Sequence, residues 1–449
     1  MRDHPVEADT AVPLNEAIRY WLRLGLISFG GPSGQIALMH DELVEKKRWI
    51  SEQRFLHALN YCMLLPGPEA MQLATYIGWL MHRTSGAIIA GCLFVLPSLL
   101  LMITLSWAYL VLGDLPVVAG VLYGIKPAVV ALVLAAAWRI GKRSLRNRWL
   151  LLIAASACVL ISVVQLPFPL VIGAAALVGL IGVRLAPDSF ALDTQHRAAH
   201  AERSAPLIDD VSPSSRSFEW RPMLRVVVIG VVLGGLVLIL LSLLFGWRHT
   251  LVQMGWFFTK AALLSFGGAY AVLPYVYQGA VDQFGWLSAP QMIDGLALGE
   301  TTPGPLIMIV AFVGFIGGWS REVFGPFALF WSGCAGALVA TFFTFLPSFV
   351  FILAGAPLIE ATRQQPRIAA ALNAISAAVV GVIVSLGGVF AVHVFHLAAS
   401  PARWDWLSIL IATVATIALL RFKAGAARLV LACAITGLVI SYAPIRPVF

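Results

Sequence analysis

Three short motifs occur twice in this sequence, in the same order. They are SFGG at 28–31 and 265–268, Pro-Gly-Pro at 66–68 and 303–305, and Leu-Pro-Ser at 96–98 and 346–348. The first two recur 237 positions later and the third recurs 250 positions later, so one insertion separates them. Ordered repetition of this kind predicts a chain built from two homologous halves.

Both halves consist largely of apolar stretches, and the run at 223–245 is long enough to cross a bilayer once. The chain is 60% hydrophobic and 12% charged, whereas a soluble domain carries about 25% charged residues. This composition excludes a soluble enzyme, a disordered protein and a fibrous protein. The net charge of +8 lies in short loops between apolar runs, a pattern typical of membrane topology signals. We therefore predict the lipid bilayer as a partner and no binding of nucleic acid.

The predicted fold is an all-α polytopic membrane protein with about 13 membrane segments, about six in each half plus one linker helix. Its predicted parts are a first membrane repeat at 1–185, a polar cytoplasmic linker at 186–222, a linker transmembrane helix at 223–250 and a second repeat at 251–449. The N-terminal sequence lacks the pattern of a cleaved signal peptide. Enzyme, cofactor and metal-site motifs are absent from the sequence, so we predict none of the three, and homo-oligomerisation stays open.

The loops that carry basic residues differ between the two halves. Residues 139–148 carry five Lys or Arg, whereas the equivalent 389–398 carry none. Conversely, Arg363 and Arg367 lie in a loop whose first-half counterpart, 113–117, has no base. Because Lys and Arg mark the cytoplasmic side, the halves are predicted to be inverted relative to each other, as in secondary transporters. The N-terminus is then predicted to be cytoplasmic and the C-terminus periplasmic.

The repeated Gly-Gly and Pro-Gly-Pro motifs interrupt apolar sequence, where neither can continue an α-helix. Broken backbone at membrane depth is tolerated where it lines a cavity, and freed helix N-termini offer amide donors to an anion. The broken elements are predicted to cross or to re-enter, and the base-rich stretch at 46–48 favours re-entrant hairpins. The alternative is a set of kinks or close-packing positions. The predicted substrate-binding residues at the breaks are Ser28, Gly30, Gly31, Pro66, Gly67, Pro68, Ser265, Gly267, Gly268, Pro303, Gly304 and Pro305.

Three cations lie inside apolar segments, where a charge is costly and marks a functional candidate. Arg23 and Lys260 each precede an SFGG motif by five residues. We predict that they bind one dianion from opposite sides, and the alternative is that each snorkels to an interface. Lys126 has no cationic counterpart in the second half and is a third predicted ligand.

Two carboxylates adjoin the Pro-Gly-Pro motifs. Glu69 follows the first motif and Glu300 precedes the second. A buried carboxylate can carry a proton, so both are predicted proton-coupling residues, with helix capping or salt bridging as the alternative. Gln72, Thr301 and Thr302 are predicted to donate hydrogen bonds to the substrate.

Long motifs surround the four breaks. They are FGGPSGQIALMH at 29–40, LLPGPEAMQLATYIGW at 64–79, SFGGAYAVLPYV at 265–276 and ETTPGPLIMIVAFVGFIGGW at 300–319. These motifs closely resemble the chromate ion transporter (CHR) family in its long two-domain form, over nearly the whole chain except the N-terminal tail and the 186–222 loop. In one departure, Ser33-Gly34-Gln35 follows the first FGGP, where a basic or His residue often stands, which weakens a role for a ligand His there.

The resemblance implies efflux of chromate across the bacterial inner membrane, with proton coupling of the antiport type, and resistance to chromate. Sulfate is a structural analogue of chromate. A carrier for sulfate or another oxyanion, or an anion channel of the same architecture, therefore remains an alternative.

Overall fold

A computed structural model describes residues 12–29, 31–63, 65–113, 115–185, 220–266, 268–355, 366–397, 403–422 and 424–442. These residues form helices joined by short turns. The exception is a two-residue antiparallel ladder between His396–Leu397 and Arg403–Trp404. The described chain is therefore helical, as the apolar sequence predicts, while most of the predicted 186–222 linker lies outside the described residues.

The helices of the first half are α1 (Leu14–Ile27), α2 (Gly31–His40), α3 (Glu52–Cys62), α4 (Glu69–Leu112), α5 (Pro116–Ser144), α6 (Arg148–Ser162) and α7 (Phe168–Leu185). A π-helical turn, Asp41–Lys46, continues α2. Helix α4 contains two residues with non-helical angles, His82 (φ −137°, ψ 29°) and Arg83 (φ 54°, ψ −141°). It therefore consists of two helices that meet at a sharp bend.

The remaining helices are α8 (Trp220–Phe245), α9 (Thr250–Leu264), α10 (Ala269–Tyr277), α11 (Ala289–Thr301), α12 (Ile309–Ser320), α13 (Leu329–Gly355), α14 (Pro366–Phe395), α15 (Trp406–Arg421) and α16 (Ala426–Tyr442). A π-helical turn, Gln278–Gln283, continues α10. Short 3₁₀ turns precede α12 and α13, at Leu306–Met308 and Pro326–Ala328.

The protein is a multi-pass membrane protein. Five of the described helical segments are long and apolar enough to cross a membrane: Glu69–Leu112, Pro116–Ser144, Trp220–Phe245, Pro326–Gly355 and Ala370–Phe395. Only 11% of the apolar window of α8 is buried, against 67% in the last segment. Because apolar surface outside the core must face lipid here, α8 lies at the periphery and α14 lies near the centre.

The SFGG motifs lie at the tips of helical hairpins. In the first half the rings of Tyr20, on α1, and Trp49, beyond α2, are 5.4 Å apart, so the chain reverses its direction after α1. The equivalent rings of Phe257 and Trp286 are 5.5 Å apart. In each half the chain therefore folds back between its first two short helices.

The Pro-Gly-Pro motifs lie at the tips of a second pair of hairpins. The rings of Tyr61, on α3, and Tyr76, on α4, are 6.0 Å apart on either side of the first motif. At the second motif, Gly295, which precedes it, lies close to Phe312, which follows it. A Cβ on Gly295 would collide with the Phe312 ring. The helices on the two sides of each Pro-Gly-Pro motif are therefore in contact with each other.

Backbone geometry recurs at the same 237-residue offset as the motifs. The recurring features are π-helical turns at Asp41–Lys46 and Gln278–Gln283, serine N-caps at Ser51 and Ser288, and positive φ at Gly31 and Gly268 and at Gly67 and Gly304. A π-helical turn is rare and is found mostly at functional sites. The duplication seen in the sequence therefore extends to local conformation.

The halves are interleaved rather than placed side by side. Helix α5 packs against α15 and α16 of the second half, and α14 packs against α6 and α7 of the first half. A Cβ on Gly124 would collide with the Cys433 carbonyl, and one on Gly381 would collide with the Ala154 carbonyl. Small residues allow such close helix crossings in membranes, and here they join the halves into one body.

Candidate functional site

The hairpin tips of the two halves meet and exchange hydrogen bonds. The Gly67 N–H donates to the Ser265 carbonyl oxygen at 3.1 Å, and the Gly304 N–H donates to the Ser28 carbonyl oxygen at 3.0 Å. Equivalent residues thus make the same contact in both directions, which is the mark of a twofold relation. The four breaks lie together, with each Pro-Gly-Pro loop bonded to the SFGG tip of the other half.

The central glycines of the Pro-Gly-Pro loops are required by both conformation and space. Their φ angles are 129° at Gly67 and 100° at Gly304, values that favour glycine. A Cβ at Gly67 would collide with the Gln72 amide and the Ser348 hydroxyl, and one at Gly304 would lie 2.6 Å from the Ser98 Cβ. The loop of each half therefore contacts the Leu-Pro-Ser serine of the other half.

Three serine hydroxyls at this junction are buried and have no hydrogen-bond partner among the residues that the structure describes: Ser28, Ser98 and Ser348. Their residues are 0%, 0% and 1% exposed, respectively. Burying a hydroxyl without a partner costs about 1–3 kcal/mol, so these donors are available to a group held at the tips. Sequence reasoning used Leu-Pro-Ser only to detect the repeat, although its recurrence was a signal for Ser98 and Ser348.

Two buried glutamine amides lie at the tips, and one of them, Gln35, bonds across the halves. Gln35 Nε2 donates to the Ser28 carbonyl at 3.2 Å and also to the Gly304 carbonyl of the other half. Gln72, predicted as a substrate ligand, donates from Nε2 to the Pro66 carbonyl of its own loop at 2.7 Å. The Oε1 atom of each glutamine has no partner. Gln35 was not among the predicted ligands.

Both predicted proton carriers lie against the tip of the second half. Glu69 Oε1 is 3.7 Å from the position that a Cβ of Gly268 would occupy. Glu300 is 5% exposed and accepts a hydrogen bond from the hydroxyl of Tyr270. Tyr270 follows Gly268 by two residues. The Pro-Gly-Pro loops of both halves thus bring a carboxylate to one tip.

The predicted threonine donors bond within their own helix. Thr301 Oγ1 donates to the Leu298 carbonyl at 2.9 Å, and Thr302 Oγ1 donates to the Gly299 carbonyl at 3.1 Å. A hydroxyl has a single proton to donate. In this conformation neither threonine offers it to a ligand.

The prolines of the loops are buried: Pro66, Pro68, Pro303 and Pro305. Pro68 and Pro305 are extended residues that directly precede the next helical turn. Because the proline ring fixes φ, these two residues shape the loops. Among the predicted glycines of the SFGG tips, Gly31 and Gly268 have φ of 71° and 95°. Gly30 and Gly267 lie outside the described residues.

Arg23 and Lys260 lie on the protein surface rather than among the buried groups at the tips. The Arg23 side chain is 65% exposed, with Nη2 3.9 Å from Glu42 Oε1. Lys260 is exposed, and its Nζ is 5.7 Å from the centre of the Trp256 ring. The structure does not bring the two cations together on one enclosed ligand, because their helices direct them outward. Their exposure favours the interfacial alternative.

Lys126 lies at a different place, in an ion pair that the sequence did not predict. Its Nζ is 3.6 Å from Asp294 Oδ2, and Asp294 is on α11. The Tyr109 hydroxyl donates to the same carboxylate oxygen at 3.0 Å. The sequence analysis missed Asp294 because this residue belongs to no repeated motif and has no recognisable spacing from Lys126.

One group of side chains has the composition of a metal site. One ligand atom each from His40, Glu45 and Glu52 lies within 4.8 Å of the others. His40 Nε2 is already 2.5 Å from Glu52 Oε2, and both glutamates are exposed. The sequence predicted no metal site because positions 40, 45 and 52 do not match a ligand spacing. The π-helical turn brings these residues together.

The comparisons with known proteins agree with this architecture. The sequence profile described as "Chromate transporter" matches residues 16–180 and 252–438, one stretch in each half. The chain belongs to the chromate transporter family. The chromate transport protein of Pseudomonas aeruginosa is 34% identical over 368 residues, which cover 81% of this chain and 77% of that protein.

The chromate transport protein of Cupriavidus metallidurans is 31% identical over 370 residues, covering 82% of this chain and 80% of that protein. No solved structure gives a significant match. The family profile therefore matches each of the two halves whose hairpin tips meet.

Proposed function

We propose that this protein is a secondary transporter that exports chromate from the bacterial cytoplasm across the inner membrane and so confers chromate resistance. The observation that carries the proposal is the reciprocal junction of four hairpin tips with three buried serine hydroxyls that lack partners. The relatives from Pseudomonas aeruginosa and Cupriavidus metallidurans are named as chromate transport proteins, which supports chromate as the oxyanion.

The donors at the junction suit a tetrahedral oxyanion. Backbone N–H groups at helix starts and hydroxyls bind oxyanions without a formal cation. A site without a cation also binds a dianion less tightly than a site of two cations, which favours release. A membrane potential that is negative inside drives a dianion outward, by about 2.3 kcal/mol per charge per 100 mV.

The two carboxylates at the second tip support proton coupling. An ionised carboxylate beside an oxyanion repels it, and a protonated one can donate a hydrogen bond to it. Occupation of Glu69 or Glu300 by a proton therefore changes the affinity of the site for the anion, and that linkage is what a coupled carrier requires.

The proposed topology has inverted halves, a cytoplasmic N-terminus and a periplasmic C-terminus. Reporter fusions after residue 145, in the 186–222 linker and at residue 365 are expected to report cytoplasm. Fusions near residues 115 and 397 and at the C-terminus are expected to report periplasm. A cytoplasmic C-terminus would exclude the inverted arrangement, because an odd number of crossings must separate the halves.

The decisive experiment is transport by the purified protein in liposomes, with labelled chromate and an imposed membrane potential or pH gradient. Saturable uptake that responds to the pH gradient supports a proton-coupled carrier. Uptake that is linear in concentration and insensitive to the pH gradient would instead identify an anion channel.

Sulfate serves as the competitor. Inhibition only at a large excess of sulfate supports chromate as the substrate, and stronger inhibition by sulfate than by unlabelled chromate would reassign the carrier to sulfate. A resistance assay in a chromate-sensitive host checks the direction, since an importer sensitises the host and an exporter protects it.

A further inference from the structure

A cavity of about 390 Å³ lies apart from the hairpin tips. Its polar lining residues are Tyr109, Tyr123, Lys126, Gln291 and Asp294, and we call it the Lys126 cavity. Gly113 and Ala119 also line it, which places it beside the turn between α4 and α5. The charge pattern predicts that this turn is periplasmic.

The ion pair in this cavity is loose. Lys126 Nζ is 3.6 Å from Asp294 Oδ2, whereas a charge-assisted N–H···O bond is about 2.7–2.9 Å long. Lys126 keeps 31% of its side chain exposed to the cavity, while the Asp294 side chain is 3% exposed. The cation therefore remains accessible to an anion that enters from the cavity.

Asp294 is not fully satisfied by its neighbours. Its Oδ2 accepts from the Tyr109 hydroxyl at 3.0 Å, but its buried Oδ1 has no hydrogen-bond partner within the described part of the chain. A buried carboxylate with an unpaired oxygen is costly in the ionised form. The free Oδ1 is thus a place where a proton can be held.

A second carboxylate near the cavity shows the contrast. Asp405 accepts from the Tyr123 hydroxyl at 2.7 Å and from the Ser408 hydroxyl at 2.6 Å. It also accepts from the backbone N–H groups of Leu407 and Ser408 and caps α15. Both oxygens of Asp405 are occupied by structural bonds, so Asp294 is the carboxylate with capacity left.

Helix α11 carries a lining residue of the cavity, Asp294, and leads to the hairpin tips. Glu300 follows Asp294 by six residues on this helix, or about 9 Å at 1.5 Å per residue. The Pro303-Gly304-Pro305 loop follows directly. The Lys126 cavity therefore lies within about two helical turns of the tips along α11.

We infer that the Lys126 cavity is a second oxyanion-binding site, in which Lys126 binds the departing anion and Asp294 is the competing carboxylate that holds Lys126 when the site is empty. A proton taken up on Asp294 Oδ1 releases Lys126 to the anion, and loss of that proton restores the pair and expels the anion. This inference rests on the proposed function and adds to it a site of exchange at the outer face.

Several groups face Asp294 and share its electrostatics. Lys126 and Tyr123 belong to α5, Tyr109 belongs to α4, and Glu300 lies on the same helix. Asp405, at the start of α15, is joined through Tyr123. On α16, Cys433 packs against α5 at Gly124. A pH profile assigned to Asp294 must therefore be compared with variants of these neighbours.

Opposite effects of two single variants test the inference. Binding of labelled chromate to the purified full-length protein is measured by equilibrium dialysis over a pH series. Lys126→Gln is expected to weaken binding about tenfold because the cation is lost. Asp294→Asn is expected to tighten binding about tenfold, because the competitor is neutral and Lys126 is free. Weaker or unchanged binding by Asp294→Asn overturns the inference.

The pH profile separates a ligand role from a structural one. Wild-type binding is expected to strengthen as the pH falls, and the part due to Asp294 is absent in Asp294→Asn. Titration of chromate itself is common to all variants and cancels in the comparison. An identical pH profile in Asp294→Asn and wild type also overturns the inference.

Matched controls complete the design. Lys142→Gln removes an exposed cation from the other end of α5 and is expected to leave binding unchanged. Asp405→Asn is expected to lower thermal stability and to leave in place the pH dependence of binding that is due to Asp294. Lys126→Arg is expected to restore most of the binding, and failure of this rescue argues against a ligand role for the cation. Absence of chromate transport by the wild type would overturn the proposed function itself. That outcome is distinct from the binding results of these variants, which test only the second site.

Discussion

The SFGG tips of the two halves share one backbone arrangement but have different polar surroundings. At each tip a serine carbonyl oxygen accepts a hydrogen bond from the N–H of the Pro-Gly-Pro glycine of the other half. Around the first tip the buried polar group is the amide of Gln35. Around the second tip it is a pair of carboxylates, Glu69 and Glu300.

The difference separates two tasks. The backbone angles and the unpaired Leu-Pro-Ser hydroxyls recur in both halves, which suits the proposed binding of an anion from either side. The carboxylates lie at one tip only, so a proton affects the two halves unequally. We expect variants of the shared features to abolish transport and variants of the carboxylates to change only its dependence on protons.

The largest effect is expected at the shared glycines. Gly67→Leu and Gly304→Leu should each abolish chromate transport while the protein still inserts, because Leu cannot easily adopt φ of 129° or 100° and would collide with Ser348 or Ser98. The measurement is uptake into liposomes at matched protein amounts. Gly235→Leu, in α8 where nothing lies within 4 Å, is the control. Transport by both variants would show that the tips are packing features only.

The next effect is expected at the paired serines. Ser98→Ala and Ser348→Ala should each raise the half-saturating chromate concentration about tenfold, since a hydrogen bond to a charged group contributes about 1.5–3 kcal/mol. Because the two positions are equivalent, the two effects should be similar. Ser106→Ala removes a hydroxyl that already donates to the Met102 carbonyl at 2.6 Å, and it should change nothing. An effect at one serine alone would break the symmetry of the site.

A smaller, selective effect is expected at the carboxylates. Glu69→Gln or Glu300→Gln should still bind chromate, but the residue that carries the coupled proton should lose the several-fold response to an imposed pH gradient. Gln preserves shape and hydrogen bonding but cannot titrate. Glu45→Gln, at an exposed carboxylate, serves as the control. An unchanged response in both tip variants would assign the coupling elsewhere, with Asp294 as the next candidate.

The sequence was sufficient to predict features that recur in register. Gly67 and Gly304 were identified because a repeated Pro-Gly-Pro has a fixed conformational meaning wherever it lies. The sequence does not say what lies opposite, so the contact of Ser98 with Gly304 across the halves was not predictable. Asp294 was missed for the same reason, because its pairing with Lys126 depends on how α11 packs against α5.

Equal spacing in the sequence does not determine where a side chain points, as Arg23 and Lys260 show. Their equal spacing from the two tips predicts equivalent positions, and it leaves open which face of the helix carries them. Five residues before the tip is about one and two-fifths turns of helix, so the side chains point away from the residues at the tip. The structure accordingly places both cations outside the junction.

The smallest effect is therefore expected at these two cations. Arg23→Gln and Lys260→Gln should each change the half-saturating chromate concentration by no more than about twofold, because an exposed ion pair contributes about 0–1 kcal/mol. The measurement is concentration-dependent uptake, with Lys126→Gln as the cation variant that should fail in the same assay. A rise of tens-fold in both variants would restore the pair as ligands of one dianion. It would also require a conformation in which α1 and α9 turn these side chains inward, so the comparison tests both the site and the state of the carrier.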